Sequence, residues 1–275
     1  MEKTILLTGG TGFLGTLLSN NLNNYTNLIF LGKEEKQISK NIYQFDINNL
    51  NNNFYKHIQN INIIHLATYY SKSSYDKKKI QDANIDFGMR LLESIDSSSI
   101  NSFIYTNTMF AFDEDNKNHF YTKSKIEFSE ILKSRLGDNK ISEIYLDNTF
   151  HNTDKRNKVV PAIISAIKNN TTNPVNNEDD FINLSYGVDV VKAIISEALE
   201  PENLTTRITS MFDINIKSIY EYLDYYYKAN VLDESLLKVM DSTYLDNKEI
   251  PPLNSKFYET DIYKNLVSLL KSKKE

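Results

Sequence analysis

The chain has 275 residues, 40% of them hydrophobic, no cysteine and a formal net charge of −5, enough to bury a sizeable core as one large domain or a domain with a smaller lobe. The acidic balance excludes the positive field expected of a nucleic-acid or anionic-membrane binder, so any anionic ligand has to be held by local groups. The lack of cysteine excludes disulfides, thiolate zinc sites, iron–sulfur clusters and cysteine nucleophiles together.

The first element, Thr4 to Thr8, is a short apolar run read as a strand. It meets glycines too soon for a signal peptide or a membrane span, which points to a cytoplasmic protein. A helical pattern from Phe13 to Leu22 follows, then apolar runs at Leu28 to Leu31, Ile42 to Ile47 and Ile61 to Ala67. A helix is expected over Ile80 to Ile95, a strand over Phe103 to Thr106, a helix over Tyr121 to Leu136 and a strand over Ile141 to Leu146. Strands without polar alternation read as buried on both faces, and their alternation with helices predicts an α/β fold with a doubly wound parallel sheet of the Rossmann type. Residues 1–155 are assigned to that sheet. Residues 156–275 are assigned to a smaller C-terminal substrate lobe, partly interleaved with it, with helices over Val160 to Lys168, Val188 to Leu199 and Ile216 to Lys228. The lobe is expected over the carboxyl edge of the sheet, where open α/β folds bind ligands. The bias toward Asn, seen in the run 48–53, carries no function.

Between the first strand and the first helix lies Thr8-Gly9-Gly10-Thr11-Gly12-Phe13-Leu14-Gly15. In that context a glycine turn has mechanical meaning. Gly9 allows the tight turn, Gly12 lets backbone approach a pyrophosphate, and Gly15 lets helix and strand pack closely. The helix start, with Thr11, Phe13 and Leu14, offers amides and a positive dipole end to phosphates. The second strand ends Leu31-Gly32-Lys33; a basic residue there favours a ribose 2′-phosphate, so NADP(H) is favoured over NAD(H). Asp46 is placed to accept from the adenine amino group, with Ile47 beneath the ring.

Tyr121 and Lys125 are four apart, which puts them on one helix face. An ammonium nearby favours the tyrosinate, and such a tyrosine exchanges a proton with a carbonyl or alcohol while hydride moves. Lys125 would also bind the nicotinamide ribose. With 18 tyrosines in the chain the spacing recurs, at Tyr75 with Lys79 and at Tyr244 with Lys248. Those pairs lie in a polar segment and just ahead of Pro251-Pro252. Only Tyr121 begins an amphipathic helix with an upstream hydroxyl partner, Thr108, at the carboxyl end of a strand, where it can align the reacting oxygen.

The set Thr8-Gly9-x-x-Gly12-x-x-Gly15, Asp46, His65-Leu66-Ala67, Asn84, Thr108 and Tyr121-x-x-x-Lys125 resembles the NAD-dependent epimerase/dehydratase family of extended short-chain dehydrogenases. The resemblance implies a nucleotide-sugar substrate held by the C-terminal lobe, a cofactor lined by His65, Leu66 and Ala67, and an Asn84 that supports the central helix. It implies substrate contacts at Thr68, Thr108 and Asn148 and a homodimer formed through a four-helix contact. Tyr145 to Asp154 and Phe181 to Val191 are similar to the short reductases that make dideoxyhexoses, of the CDP-paratose and CDP-abequose synthase kind. The chain departs from the family where Asp113 and His151 replace glycines and Ile182 stands at an arginine's place.

Dehydratases of the family carry an acid pair after the catalytic threonine; here Met109-Phe110 follows Thr108, so elimination has no acid or base. What remains is reduction of the C4 keto group of a nucleotide-linked 4-keto-deoxysugar, with 4-epimerisation by tightly bound NAD as the alternative and a non-catalytic dinucleotide sensor as a third reading. His57, His65, His119 and His151 show no close ligand spacing, so no metal is expected. Lys77 to Lys79 reads as a solvated helix entrance, and Tyr225 to Tyr227 as packing.

Overall fold

The computed structural model describes residues 4–22, 27–39, 42–49, 58–71, 73–229, 242–244, 254–257 and 262–271. The Asn-rich run beyond Asn49, together with His57, Lys248, Pro251 and Pro252, lies outside the described residues. The chain divides into two compact units, Met1–Leu146 with Val191–Arg207, and Asp147–Val190 with Ile208–Glu275.

The first unit is built from β1 (Thr4–Thr8), α1 (Phe13–Leu22), β2 (Asn27–Gly32), β3 (Lys36–Ser39), β4 (Ile42–Asp46), β5 (Ile61–His65), α2 (Lys77–Gln81), α3 (Phe87–Ser94), β6 (Ile100–Thr108), α4 (Phe120–Leu136) and β7 (Ile141–Leu146). Among these strands the sheet order is β7-β6-β5-β1-β2-β4-β3. Its pairs are parallel, except that β3 returns antiparallel to β4. β1 and β5 are buried along their whole length, as expected of parallel strands covered on both faces. Strand order reverses between β1 and β5, so the crevice beyond their carboxyl ends is the topological switch point of the sheet. The core joins Leu6, Ile63, Phe103 and Tyr105 of the sheet to Leu91 of α3 and Phe128 and Leu132 of α4.

The second unit contributes β8 (Asn148–Phe150), α5 (Val159–Lys168), β9 (Phe181–Tyr186), α6 (Gly187–Leu199), β10 (Thr205–Thr209), β11 (Phe212–Asn215), α7 (Ile216–Ala229), β12 (Ser242–Tyr244), β13 (Asn254–Phe257) and α8 (Ile262–Lys271), with the division of units cutting α6 and β10. A second sheet runs β12-β11-β9-β8. Phe150, Leu184 and Ile214 face Ile163 of α5, Ile219 and Leu223 of α7 and Leu266 of α8 in a core of their own. α7 buries Tyr222 and Tyr226 four residues apart and leaves Tyr225 exposed, the periodicity of a one-sided helix. Among the described residues no helix is long and apolar enough to cross a membrane.

Three elements differ from the reading of the sequence. The strand expected to reach Ala67 stops at His65, because Leu66 and Ala67 turn against the glycine loop, where the amide of Ala67 lies too close to Gly9 for any side chain to stand there. The helix expected over Ile80 to Ile95 is interrupted at Asp82–Asp86 by a π turn, a widening that inserts one residue into a helix and is frequent at functional sites. The short edge strand β3 and the strand β11 of the second sheet were not expected, because Lys36–Ser39 and Phe212–Asn215 are too short and too polar to show a period.

Candidate active site

The loop after β1 is shaped by its glycines. Gly9 has φ +72, a left-handed conformation that L side chains rarely adopt. Its carbonyl accepts from the amide of Gly12 at 3.0 Å. A Cβ on Gly15 would run into that same carbonyl and the backbone of Gly10, so α1 starts hard against the turn. Gly12 is different, since a Cβ there meets only the Gly9 carbonyl at 3.2 Å and its outer side stays open to a ligand. Thr11 is exposed on the loop, and Phe13 and Leu14 are half-buried in the first turn of α1, where helix amides lack an intrahelical acceptor. Gly15→Ala is expected to destabilise the fold by about 1–3 kcal/mol through overpacking, and Gly12→Ala by less. The midpoints of urea unfolding of the two variants check this.

The walls beside the loop come from β2, β4 and β5. Gly32 pairs with Asp46, and its carbonyl accepts from the amide of Ile47 at 3.0 Å, which sets exposed Lys33 beside Asp46 and buried Ile47. Asp46 Oδ1 accepts from the backbone and side-chain amides of Asn48, both at 2.9 Å. That oxygen closes a turn. On the β5 side, Leu66 N donates to Thr8 O at 3.2 Å and Ala67 N to Thr8 Oγ1 at 3.3 Å. His65 turns inward: its Nδ1 lies 2.9 Å from Thr8 Oγ1, and its ring sits among Phe87, Phe103, Tyr105 and Phe128. Burial, reinforced by the charge of Lys125, pulls the imidazole down to about 3. It is a neutral core histidine.

From Ala67 the chain reaches the catalytic candidates through Asn84, at the centre of the π turn. Asn84 Oδ1 accepts from Thr68 Oγ1 at 3.0 Å and from Tyr69 N at 2.7 Å. Its Nδ2 donates to Tyr69 O at 3.3 Å and to Ser124 Oγ at 2.9 Å, and Ser124 Oγ donates to Tyr121 O at 2.7 Å. One buried amide therefore ties the segment after β5 to the first turn of α4. The hydroxyl of Thr68, a substrate candidate, is engaged in that tie.

Tyr121 and Lys125 lie one turn apart on α4. The Tyr121 ring meets Tyr70 edge-on, with centroids 4.8 Å apart. Lys125 is 2% exposed, and its Nζ lies over the ring of Tyr105, 4.1 Å from the centroid, a cation–π contact that offsets part of the lost hydration. Burial pulls the ammonium down to about 7, against the opposing charge of Glu143. Tyr105 is pushed far up by burial and then by the repulsion a phenolate there would meet from ionised Tyr121, Glu143 and Tyr145. Its hydroxyl donates to Lys125 O at 3.2 Å. Thr108 ends β6 and caps the short helix after it: Oγ1 accepts from Phe110 N at 3.3 Å, so the hydroxyl proton is left to donate elsewhere.

Behind Thr108 lies a polar layer that motif reading missed. Thr108 N donates to Asn107 Oδ1 at 2.8 Å, and Asn107 Nδ2 donates to Glu143 Oε1 at 2.7 Å. The sequence signal available was a lone Glu in the otherwise buried strand Ile141–Leu146. Tyr70, too, carried no motif. Asn148 belongs to the second unit, where its Nδ2 donates to Asn183 O at 3.3 Å. In that unit His151 Nδ1 lies 2.9 Å from Thr153 Oγ1, and its ring packs on Tyr186 at 5.3 Å.

Comparison with known proteins gives a family and two kinds of relative. Residues 5–209 match the NAD dependent epimerase/dehydratase family. The CDP-abequose synthase of Salmonella muenchen is 24% identical over 235 residues, covering 81% of this chain and 80% of that protein. The CDP-abequose synthase of Yersinia pseudotuberculosis is 26% identical over 239 residues, covering 80% and 83%. In fold the chain is similar to the UDP-N-acetylglucosamine 4-epimerase of Methanobrevibacter ruminantium M1, with a TM-score of 0.67 and 19% identity over 96% of this chain and 92% of that one. The chain belongs to the NAD dependent epimerase/dehydratase family and is an NAD-dependent enzyme of the extended short-chain dehydrogenase/reductase type.

Proposed function

We propose that this member of the family is a reductase, transferring hydride to the C4 carbonyl of a nucleotide-linked 4-keto-deoxysugar, with NADP(H) favoured over NAD(H). The observation that carries the reading is Lys125, a buried ammonium one helical turn from Tyr121 and below a strand end that presents Thr108. Similarity to two CDP-abequose synthases over four fifths of the chain supports the nucleotide-linked deoxysugar. The exposed Lys33 beside Asp46 supports a 2′-phosphate on the ribose.

The residues present fit a dinucleotide: the outer side of Gly12 is open where a Cβ would otherwise stand, and Gly9, Gly15, Leu66 and Ala67 shape the wall. When bound, the nicotinamide supplies the hydride. Tyr121 gives its phenolic proton to the carbonyl oxygen as the carbon accepts that hydride, so an alcohol forms and the tyrosinate left behind regains a proton from water. Lys125 stabilises the tyrosinate by its charge and holds the nicotinamide ribose. Thr108 donates its hydroxyl proton to the same oxygen and aligns it. Met109 and Phe110 offer no acid or base for elimination. Thr68 and Asn148 are proposed as substrate contacts, and the protein as a cytoplasmic homodimer, which sedimentation equilibrium tests.

The deciding experiment follows oxidation of NADPH and NADH against CDP-, dTDP-, GDP- and UDP-linked 4-keto-6-deoxysugars. Consumption of reductant with one of them, faster with NADPH, is expected. Purified protein that retains NAD and interconverts 4-epimers without added reductant would instead be a 4-epimerase.

A further inference from the structure

We propose that Glu143 is a positioning residue for this reaction: through Asn107 it fixes the peptide of Thr108, and across the same buried layer it supplies the negative charge with which Lys125 is enclosed. The inference rests on the roles given above to Thr108 and Lys125. Glu143 itself is 1% exposed, so no substrate reaches it.

The geometry makes the carboxylate directive. Asn107 presents one face that donates and one that accepts. An ionised carboxylate only accepts, so Glu143 Oε1, 2.7 Å from Asn107 Nδ2, draws the NH₂ group to its own side. The amide oxygen is then turned to Thr108 N, at 2.8 Å. A neutral group at position 143 removes that instruction.

Removing a carboxylate from water is costly unless it is paired and hydrogen-bonded, and buried ion pairs replaced by apolar groups often leave a protein as stable or more so. Burial, the largest influence, pushes the carboxyl of Glu143 up. The polar groups of Ser129 and Asn107, with the charge of Lys133, outweigh it and leave the group below its ordinary value. Lys133 reaches in from a half-exposed position on α4, its Nζ 3.0 Å from Oε2. Among the described residues the other titratable groups facing this layer include Tyr105 of β6, Tyr145 of β7 and Tyr121 and Lys125 of α4, with His65 of β5 coupled to Lys125. On the far side of β7, Glu143 N donates to Leu204 O at 3.1 Å. Glu143 stands opposite Tyr105 in the sheet, and Lys125 Nζ lies over the Tyr105 ring, so the carboxylate charge opposes loss of the Lys125 proton, and an unprotonated lysine does nothing for a tyrosinate.

The test replaces Glu143 by Gln and follows the Cε resonance of Lys125 in ¹³C-lysine-labelled protein, assigned by its disappearance in Lys125→Met. The wild-type midpoint is expected near 7, and Glu143→Gln is expected to lower it by about one pH unit. With the ketosugar, kcat at neutral pH is expected to fall roughly fivefold with KM little changed, and the basic limb of the kcat profile to move down by about the same unit. If Glu143→Gln does not fold, Glu143→Leu with Lys133→Met removes both partners and must show a lowered midpoint, the shift being smaller because the Lys133 charge is lost as well. A folded variant whose Lys125 midpoint and basic limb stay at wild-type values overturns the proposal. A lowered midpoint in a protein that turns over no ketosugar supports the role of Glu143 and counts against the reductase reading instead.

Discussion

Replacement of Tyr121 by phenylalanine is expected to lower turnover by about 10²–10⁴-fold, the range that general acid–base catalysis by one side chain supplies, while dinucleotide affinity stays within about twofold. The split follows from where the phenol stands. Its ring is held edge-on by Tyr70, and its backbone carbonyl is held by Ser124, which Asn84 holds in turn. None of these contacts needs the hydroxyl, so the variant keeps the helix, the ring and the glycine loop while the proton donor is lost. Steady-state kcat beside a fluorescence titration of NADPH measures both sides. Turnover within tenfold of wild type would mean that the proton comes from another group, and equal behaviour in every ketosugar assay would favour a dinucleotide sensor.

Lys125→Met is expected to reduce kcat by at least about 10³-fold and to make the protein more stable. Activity falls because the tyrosinate loses its counter-charge and the nicotinamide ribose a donor. Stability rises because a buried ammonium is removed. Its value of about 7 in the folded protein lies below its ordinary 10.5, so between those limits the unfolded chain binds a proton that the native state releases. Linkage then makes the wild type gain stability as pH rises from 7 toward 10.5, the burial penalty being full below 7 and absent above 10.5. The methionine variant has no such slope. Its advantage, bounded by about 5 kcal/mol and reduced by the lost contact with Tyr105, is expected to be largest at pH 6 and to vanish near pH 10.5. Urea unfolding of both proteins at pH 6, 8 and 10 gives the comparison. An advantage that does not shrink with pH would place the protonation of Lys125 elsewhere.

The sheet and the glycine loop were legible because they rest on local rules. Thr4–Thr8 is apolar without alternation, and the glycines stand where a strand becomes a helix. The Tyr–Lys pair was legible only through context, and the structure shows the physical difference from Tyr75 and Lys79. Tyr75 is 96% exposed and Lys79 is paired with Asp76 at 2.9 Å, whereas Lys125 is enclosed. Burial is a property of the tertiary fold, and spacing alone does not report it. The same holds for the layer behind Thr108, since Asn107 and Glu143 meet across neighbouring strands and neither belongs to a motif. Asp46 could be placed at a strand end, but the capture of its Oδ1 by Asn48 depends on a turn that the sequence does not announce.

The π turn at Asp82–Asp86 makes the length of this helix a functional quantity. A π turn holds one residue more than the α-helix on either side, so deleting a single residue there would yield a longer, more regular helix. Each residue of an α-helix accounts for about 100° of rotation. The wide turn absorbs that rotation, so the deletion would leave Gly88 against Phe128, whose ring occupies the space a side chain would need, but would carry Asn84 off Tyr69 and Ser124. A family alignment that gains or loses one position here would mark a change in what the helix can hold, even with every catalytic side chain in place.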